Sequence, residues 1–230
     1  MKKLFALLLA WIMVFSLAAC GQSKNENGTS EKTDSVEGVA SGGWSRAESP
    51  VVPDEVKSLL EKATEGMLGA DYTPVAYIGS QVVSGTNHAV LCKIAPAVPD
   101  ASATYSIVIL YEDLEGNVEI TDVLDSEAEA PAEQEEGVNG GWADAESPVM
   151  TEEAKAALDK ATEELLGAEY SPVALLGTQV VAGTNYSILC EVSAATPETE
   201  SEYAIVHVYE NIDGSAEITD IYEFSVISNE

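Results

Sequence analysis

Two pentapeptides carry the clearest potential for chemistry in this chain, and that chemistry is non-covalent. Gln81-Val82-Val83-Ser84-Gly85 recurs 98 positions later as Gln179-Val180-Val181-Ala182-Gly183. Each joins an amide, two branched apolar side chains and a glycine, with no charge. A strand favours the valines but not the glycine, and a solvent loop the reverse. The combination suits a hairpin tip that buries apolar area in a partner, at roughly 25 cal/mol per Å² before the costs of association. Glycine permits the turn and close backbone approach, and an uncharged tip leaves no lone charge to desolvate. Covalent catalysis has poorer candidates. His88 and His207 occupy non-equivalent places, their counterparts being Tyr186 and Ile109. No nucleophile motif, phosphate-binding loop or CxxC occurs. The acids around Gly116 and Gly214 invite a calcium-loop reading. The first ligand position would be Tyr111 or Tyr209, so a plain hairpin explains them better. No enzyme, cofactor or metal is expected.

The elements that must position these tips are also written twice. "GGWSRAESPVV" from Gly42 pairs with "GGWADAESPVM" from Gly140, and "YEDLEGNVEITD" with "YENIDGSAEITD". The offset of 98 holds without a gap from Gly42 to Asp122. The implied organisation is a segment 1–20, a tether 21–40, domains at 41–125 and 139–230, and an acidic linker at 126–138. Each repeat opens on one helical stripe: Val56, Leu59, Leu60, Ala63 and Met67, or Ala154, Ala157, Leu158, Ala161 and Leu165. Thr151 suits an N-cap and Pro53 a helix start, with Gly69 and Gly167 expected as the residues that end the helices.

Four strand-like runs follow each helix, near 73–83, 87–94, 105–112 and 118–124, with short turns between them. Alternation in the second puts Cys92, and its counterpart Cys190, on the helix-facing side, where a small buried thiol is the expected role. The fold class is α+β, with one helix across a four- to five-stranded antiparallel sheet in each repeat. The two tight turns of each meander then lie at one end. The Gly42-Gly43 or Gly140-Gly141 segment reaches that end if it runs beside the sheet.

The formal charge of −30 and the scarcity of Lys and Arg exclude a nucleic-acid surface. Met1-Lys2-Lys3, an apolar run and Leu17-Ala18-Ala19-Cys20 resemble the signal peptide and lipobox of bacterial lipoproteins. That resemblance implies export, diacylation of Cys20 and anchoring on the outer face of the cell membrane.

Gln179 to Tyr186, preceded by Pro172-Val173-Ala174, resembles the cystatin superfamily, stefins in particular, and the likeness covers each repeat nearly end to end. It implies tandem cystatin-like domains that reversibly occlude the cleft of papain-like cysteine peptidases. The wedge would comprise Gly42, Gly43, Gln81, Val82, Val83, Ser84, Gly85 and Leu114 in one repeat. In the other it would comprise Gly140, Gly141, Gln179, Val180, Val181, Ala182, Gly183 and Ile212. The second hairpin departs from the family's Pro-Trp or Leu-Pro, reading Leu114-Glu115 and Ile212-Asp213. The other reading is a cystatin-fold surface module that binds a partner without inhibiting a peptidase. A monomer is expected, with strand exchange at the first hairpin as its route to self-association.

Overall fold

The computed structural model describes residues 42–99, 101–130, 140–194 and 201–226. Repeat one contains β1 (Trp44–Arg46), α1 (Asp54–Thr64), β2 (Ala70–Val83), β3 (Gly85–Pro96), β4 (Thr104–Glu112) and β5 (Val118–Glu129). Repeat two contains β6 (Trp142–Asp144), α2 (Glu152–Thr162), β7 (Ala168–Val181), β8 (Gly183–Ala194), β9 (Glu202–Asn211) and β10 (Ala216–Val226). Each repeat is a helix on a curved antiparallel sheet, compatible at a coarse level with a cystatin-like fold.

Acidic residues occupy the first turn of each helix, and Lys62 or Lys160 the last, as the helix dipole favours. Thr151 Oγ1 accepts from the Ala154 amide at 3.2 Å, so the expected cap is present. The helices stop earlier than the stripe implied. Thr64 and Thr162 turn their hydroxyls back onto the Leu60 and Leu158 carbonyls, and the chain leaves the helix there. Gly69 and Gly167 lie in the following loops, not at the helix ends. Met67 and Leu165 are exposed beyond the helices.

One face of each half-sheet receives its helix. Val56, Leu59 and Leu60 pack on Val90, Cys92, Val108 and Leu110. Ala154, Ala157 and Leu158 pack on Ile188, Cys190, Val206 and Val208. Both cysteines are free, and burial pushes their thiols up to about 12, so they remain neutral apolar fillers.

The opposite faces meet each other. Ala76, Ile78, Leu91, Tyr105 and Ile107 of repeat one share a core with Ala174, Leu176, Leu189 and Ile205 of repeat two. The sheet is continuous, in the order β1-β2-β3-β4-β5-β10-β9-β8-β7-β6. Its two halves join where β5 and β10 pair antiparallel, Phe224 opposite Ser126 and Val226 opposite Leu124, and β1 and β6 are its edges. Two separate domains were expected, yet residues 39–230 form one compact unit.

The linker boundary shifts accordingly. Residues 126–129, assigned to the acidic linker, belong to β5. Ser126, Ala128 and Ala130 are buried while Glu127 and Glu129 face solvent. The acids hid a period-two strand pattern. The rest of that linker, 131–138, lies outside the described residues, as do Cys20 and the tether. Among the described residues, no helix is long and apolar enough to cross a membrane.

Antiparallel pairing of β5 with β10 turns one repeat end over end relative to the other. The β2–β3 and β7–β8 hairpins therefore point to opposite ends of the molecule. Arg46, beside the first hairpin's strands, accordingly reaches Glu191 and the Pro172 carbonyl, at the far end of β8 and β7.

Candidate binding edges

At each end three segments converge, and named side chains hold them. β1 pairs with β2, Trp44 opposite Gln81, which brings the glycine segment alongside the hairpin. The Gly42 amide donates to the Val82 carbonyl at 3.0 Å. Gln81 Nε2 donates to the Gly42 carbonyl at 2.9 Å, and Gln81 Oε1 accepts from Asn87 Nδ2 at 2.8 Å. Gln179 makes the same two bonds, to Gly140 at 2.8 Å and from Asn185 at 2.6 Å. The glutamine is thus a brace that ties trunk to hairpin. Gly42 and Gly140 adopt φ of +95° and +84°, open to glycine and strained for other residues.

The hairpin itself is tight. Val82 pairs with Thr86 and Val83 with Gly85, leaving Ser84 at the apex. Tyr111 on β4 donates its hydroxyl to the Ser84 carbonyl at 2.7 Å, and Tyr209 does the same to Ala182. Gly85 and Gly183 have φ of +139° and +141°. A Cβ there would run into the carbonyl oxygen of Glu112 or Glu210, with the tyrosine ring 2.8 Å away. These glycines are required by the chain's own strand packing. The valines are not: Val82, Val83 and Val181 are partly exposed and Val180 is 69% exposed.

The second hairpin is braced from inside and presents a single apolar tip. Asp113 accepts from the amides of Glu115 and Asn117, each at 2.8 Å, and from Asn117 Nδ2. Those bonds hold its carboxyl below the usual range. Lys62, at the end of α1, donates to the Gly116 carbonyl at 2.6 Å, and Lys160 to Gly214 at 2.7 Å. Each helix thereby fixes its hairpin, leaving Leu114 and Ile212 at 87% and 85% exposed. The acids around Gly116 and Gly214 brace a turn, and no cluster among the described residues has a metal-binding arrangement.

At each end the structure gathers the segments singled out in that repeat, Gly42-Gly43, Gln81 to Gly85 and Leu114 at one and Gly140-Gly141, Gln179 to Gly183 and Ile212 at the other, while Cys20 lies outside the described residues. Sequence reasoning missed the braces: Asn87, Asn185, Tyr111, Tyr209, Lys62 and Lys160. Their repetition at the 98-residue offset was the available signal. Ser187, His207 and Asp220 lie in register on adjacent strands, but Ser187 Oγ has no hydrogen-bond partner. His207 is therefore not placed to take its proton. No protein-family model matches this chain, and no curated protein matches it.

Proposed function

We propose that the chain is a reversible, non-covalent inhibitor of papain-like cysteine peptidases, anchored through Cys20, with one occluding edge at each end. The observation that carries this reading is the exposure of Val82, Val83 and Leu114 at one end and of Val180, Val181 and Ile212 at the other. Each set stands on a hairpin pair that internal hydrogen bonds hold rigid. Apolar side chains kept exposed on a braced scaffold lose little conformational entropy on docking. They suit a cleft with apolar walls that accepts extended backbone. The pentapeptides Gln81 to Gly85 and Gln179 to Gly183 carry no charge that such a cleft would have to desolvate.

Opposed ends imply two enzymes per chain, not two grips on one enzyme. Titration of the full chain against papain tests the reading. Reversible inhibition that weakens on Val180→Asp supports it. Absence of inhibition at about 10 µM, a weak-affinity ceiling, together with hairpin-independent capture of another protein, would favour a binding module without inhibitory activity.

A further inference from the structure

The two repeats are not equivalent on their inner faces. Beside the repeat-two trunk lies a cleft of about 670 Å³ lined by Trp142, Ser187, His207, Asp220, Tyr222 and Glu129. Its counterpart in repeat one, about 680 Å³, has Trp44 and Asp122 at the matching positions. There, however, Ala89 stands for Ser187, Ile109 for His207 and Leu124 for Tyr222. Three positions that are apolar in repeat one are polar in repeat two.

That change has a cost within the fold. Ser187 is only 3% exposed, and its Oγ meets no hydrogen-bond partner. A buried hydroxyl without a partner is unfavourable, and alanine serves the same place in repeat one. Neither nitrogen of His207 has a hydrogen-bond partner among the described residues. The imidazole lies between two rings, 4.9 Å from Trp142 and 5.2 Å from Tyr222 by centroids. Burial lowers its pKa against the raising effect of Asp220, so at neutral pH it offers a lone-pair acceptor.

The charges around these groups have one sign. Burial raises the pKa of the Tyr222 hydroxyl, the charges of Asp220 and Glu129 add to that rise, and neither Lys nor Arg lines the cleft. The volume lies in the range of small-molecule sites.

We propose that this cleft binds a small organic ammonium ion, its N–H or O–H groups donating to Ser187 and His207 and its carbon body lying against Trp142 and Tyr222. Aromatic faces and nearby carboxylates favour a cation over a neutral molecule of the same shape. The inference does not rest on peptidase inhibition, although Gly141 and Gln179 of the proposed edge also line this cleft.

Calorimetric titration of the full chain in detergent tests it, with choline, spermidine and choline's neutral isostere 3,3-dimethylbutan-1-ol. One of the cations is expected to saturate a single site. The isostere should bind at least about tenfold more weakly. The combined variant Ser187→Ala, His207→Ile and Tyr222→Leu should lose about tenfold or more in cation affinity. It keeps the fold, because repeat one carries those residues in the same register. Three results overturn the proposal: no saturable cation binding below about 10 mM, equal binding of the isostere, or unchanged affinity in the variant. The isostere comparison uses the unaltered chain and stands whatever the variant does.

Discussion

Arg46 of repeat one lies 3.2 Å from Glu191 of repeat two, and their counterparts make the same contact with charges exchanged: Asp144 lies 3.2 Å from Lys93. The cations are both in repeat one and the anions both in repeat two. Two copies of repeat one facing each other in this way would set Arg46 against Lys93. Two copies of repeat two would set Asp144 against Glu191. The exchange therefore favours unlike repeats and disfavours like ones.

Glu191→Lys should lower stability by about 1 kcal/mol, because it sets a second cation against Arg46 at a partly exposed site. Adding Arg46→Glu should recover most of that loss. A double-mutant cycle by urea unfolding reads the coupling, and simple additivity of the two changes contradicts it.

The shared core makes the repeats one folding unit. Leu189 is fully buried against side chains of both repeats. Leu189→Ala should cost about 2–5 kcal/mol. In calorimetry the whole chain should melt in one transition, with calorimetric and van't Hoff enthalpies equal. Two resolved transitions would show that the repeats fold apart.

Gly183→Ala should disturb the hairpin even without a partner, since its Cβ meets the Glu210 carbonyl and the backbone has positive φ. A loss of about 1–3 kcal/mol is expected, with amide shifts around Tyr209. Inhibition lost in a glycine variant is thus ambiguous, whereas Val180→Asp changes only an exposed side chain. An unaltered melting temperature for Gly183→Ala contradicts the packing at this site.

His88 and His207 are both lowered in pKa, chiefly by burial. The neutral form is the one the fold accepts, and His88 Nδ1 sits 3.0 Å from the Tyr77 hydroxyl. Their linkage runs one way. Below an unfolded pKa near 6.5 the unfolded chain takes up protons before the folded chain does. The stability they support is complete above that value and falls as pH drops towards the folded pKa values. Replacing His88 with Tyr and His207 with Ile, their counterparts' residues, should flatten this part of the stability profile. NMR titration of either imidazole above 6.5 would falsify it.

Much of this architecture was legible in the sequence. The offset of 98, the strand order and the inward parity of Cys92 and Cys190 follow from repetition and alternation. The shared core was harder to see. Ile107-Val108-Ile109-Leu110 is uninterrupted apolar sequence, which signals burial on both faces, but no local pattern says that the second cover is the other repeat. The β5 extension was obscured because Glu127 and Glu129 dominate the composition around two buried alanines. Of the site, the exposed valines and tip residues were visible. The braces from Gln81, Tyr111 and Lys62 depend on side-chain geometry that spacing alone does not fix. Gly85 was expected to permit the turn and a close backbone approach, and the structure shows that the chain's own packing against Glu112 and Tyr111 already requires it.

The most direct test of the central claim is the stoichiometry of inhibition, measured by titrating active papain with the full chain. The expected result is reversible inhibition that saturates at two enzymes per chain. Val82→Asp with Val83→Asp should remove one equivalent, and Val180→Asp with Val181→Asp the other. Full papain activity at about 10 µM chain, or inhibition indifferent to all four valines, would contradict the account.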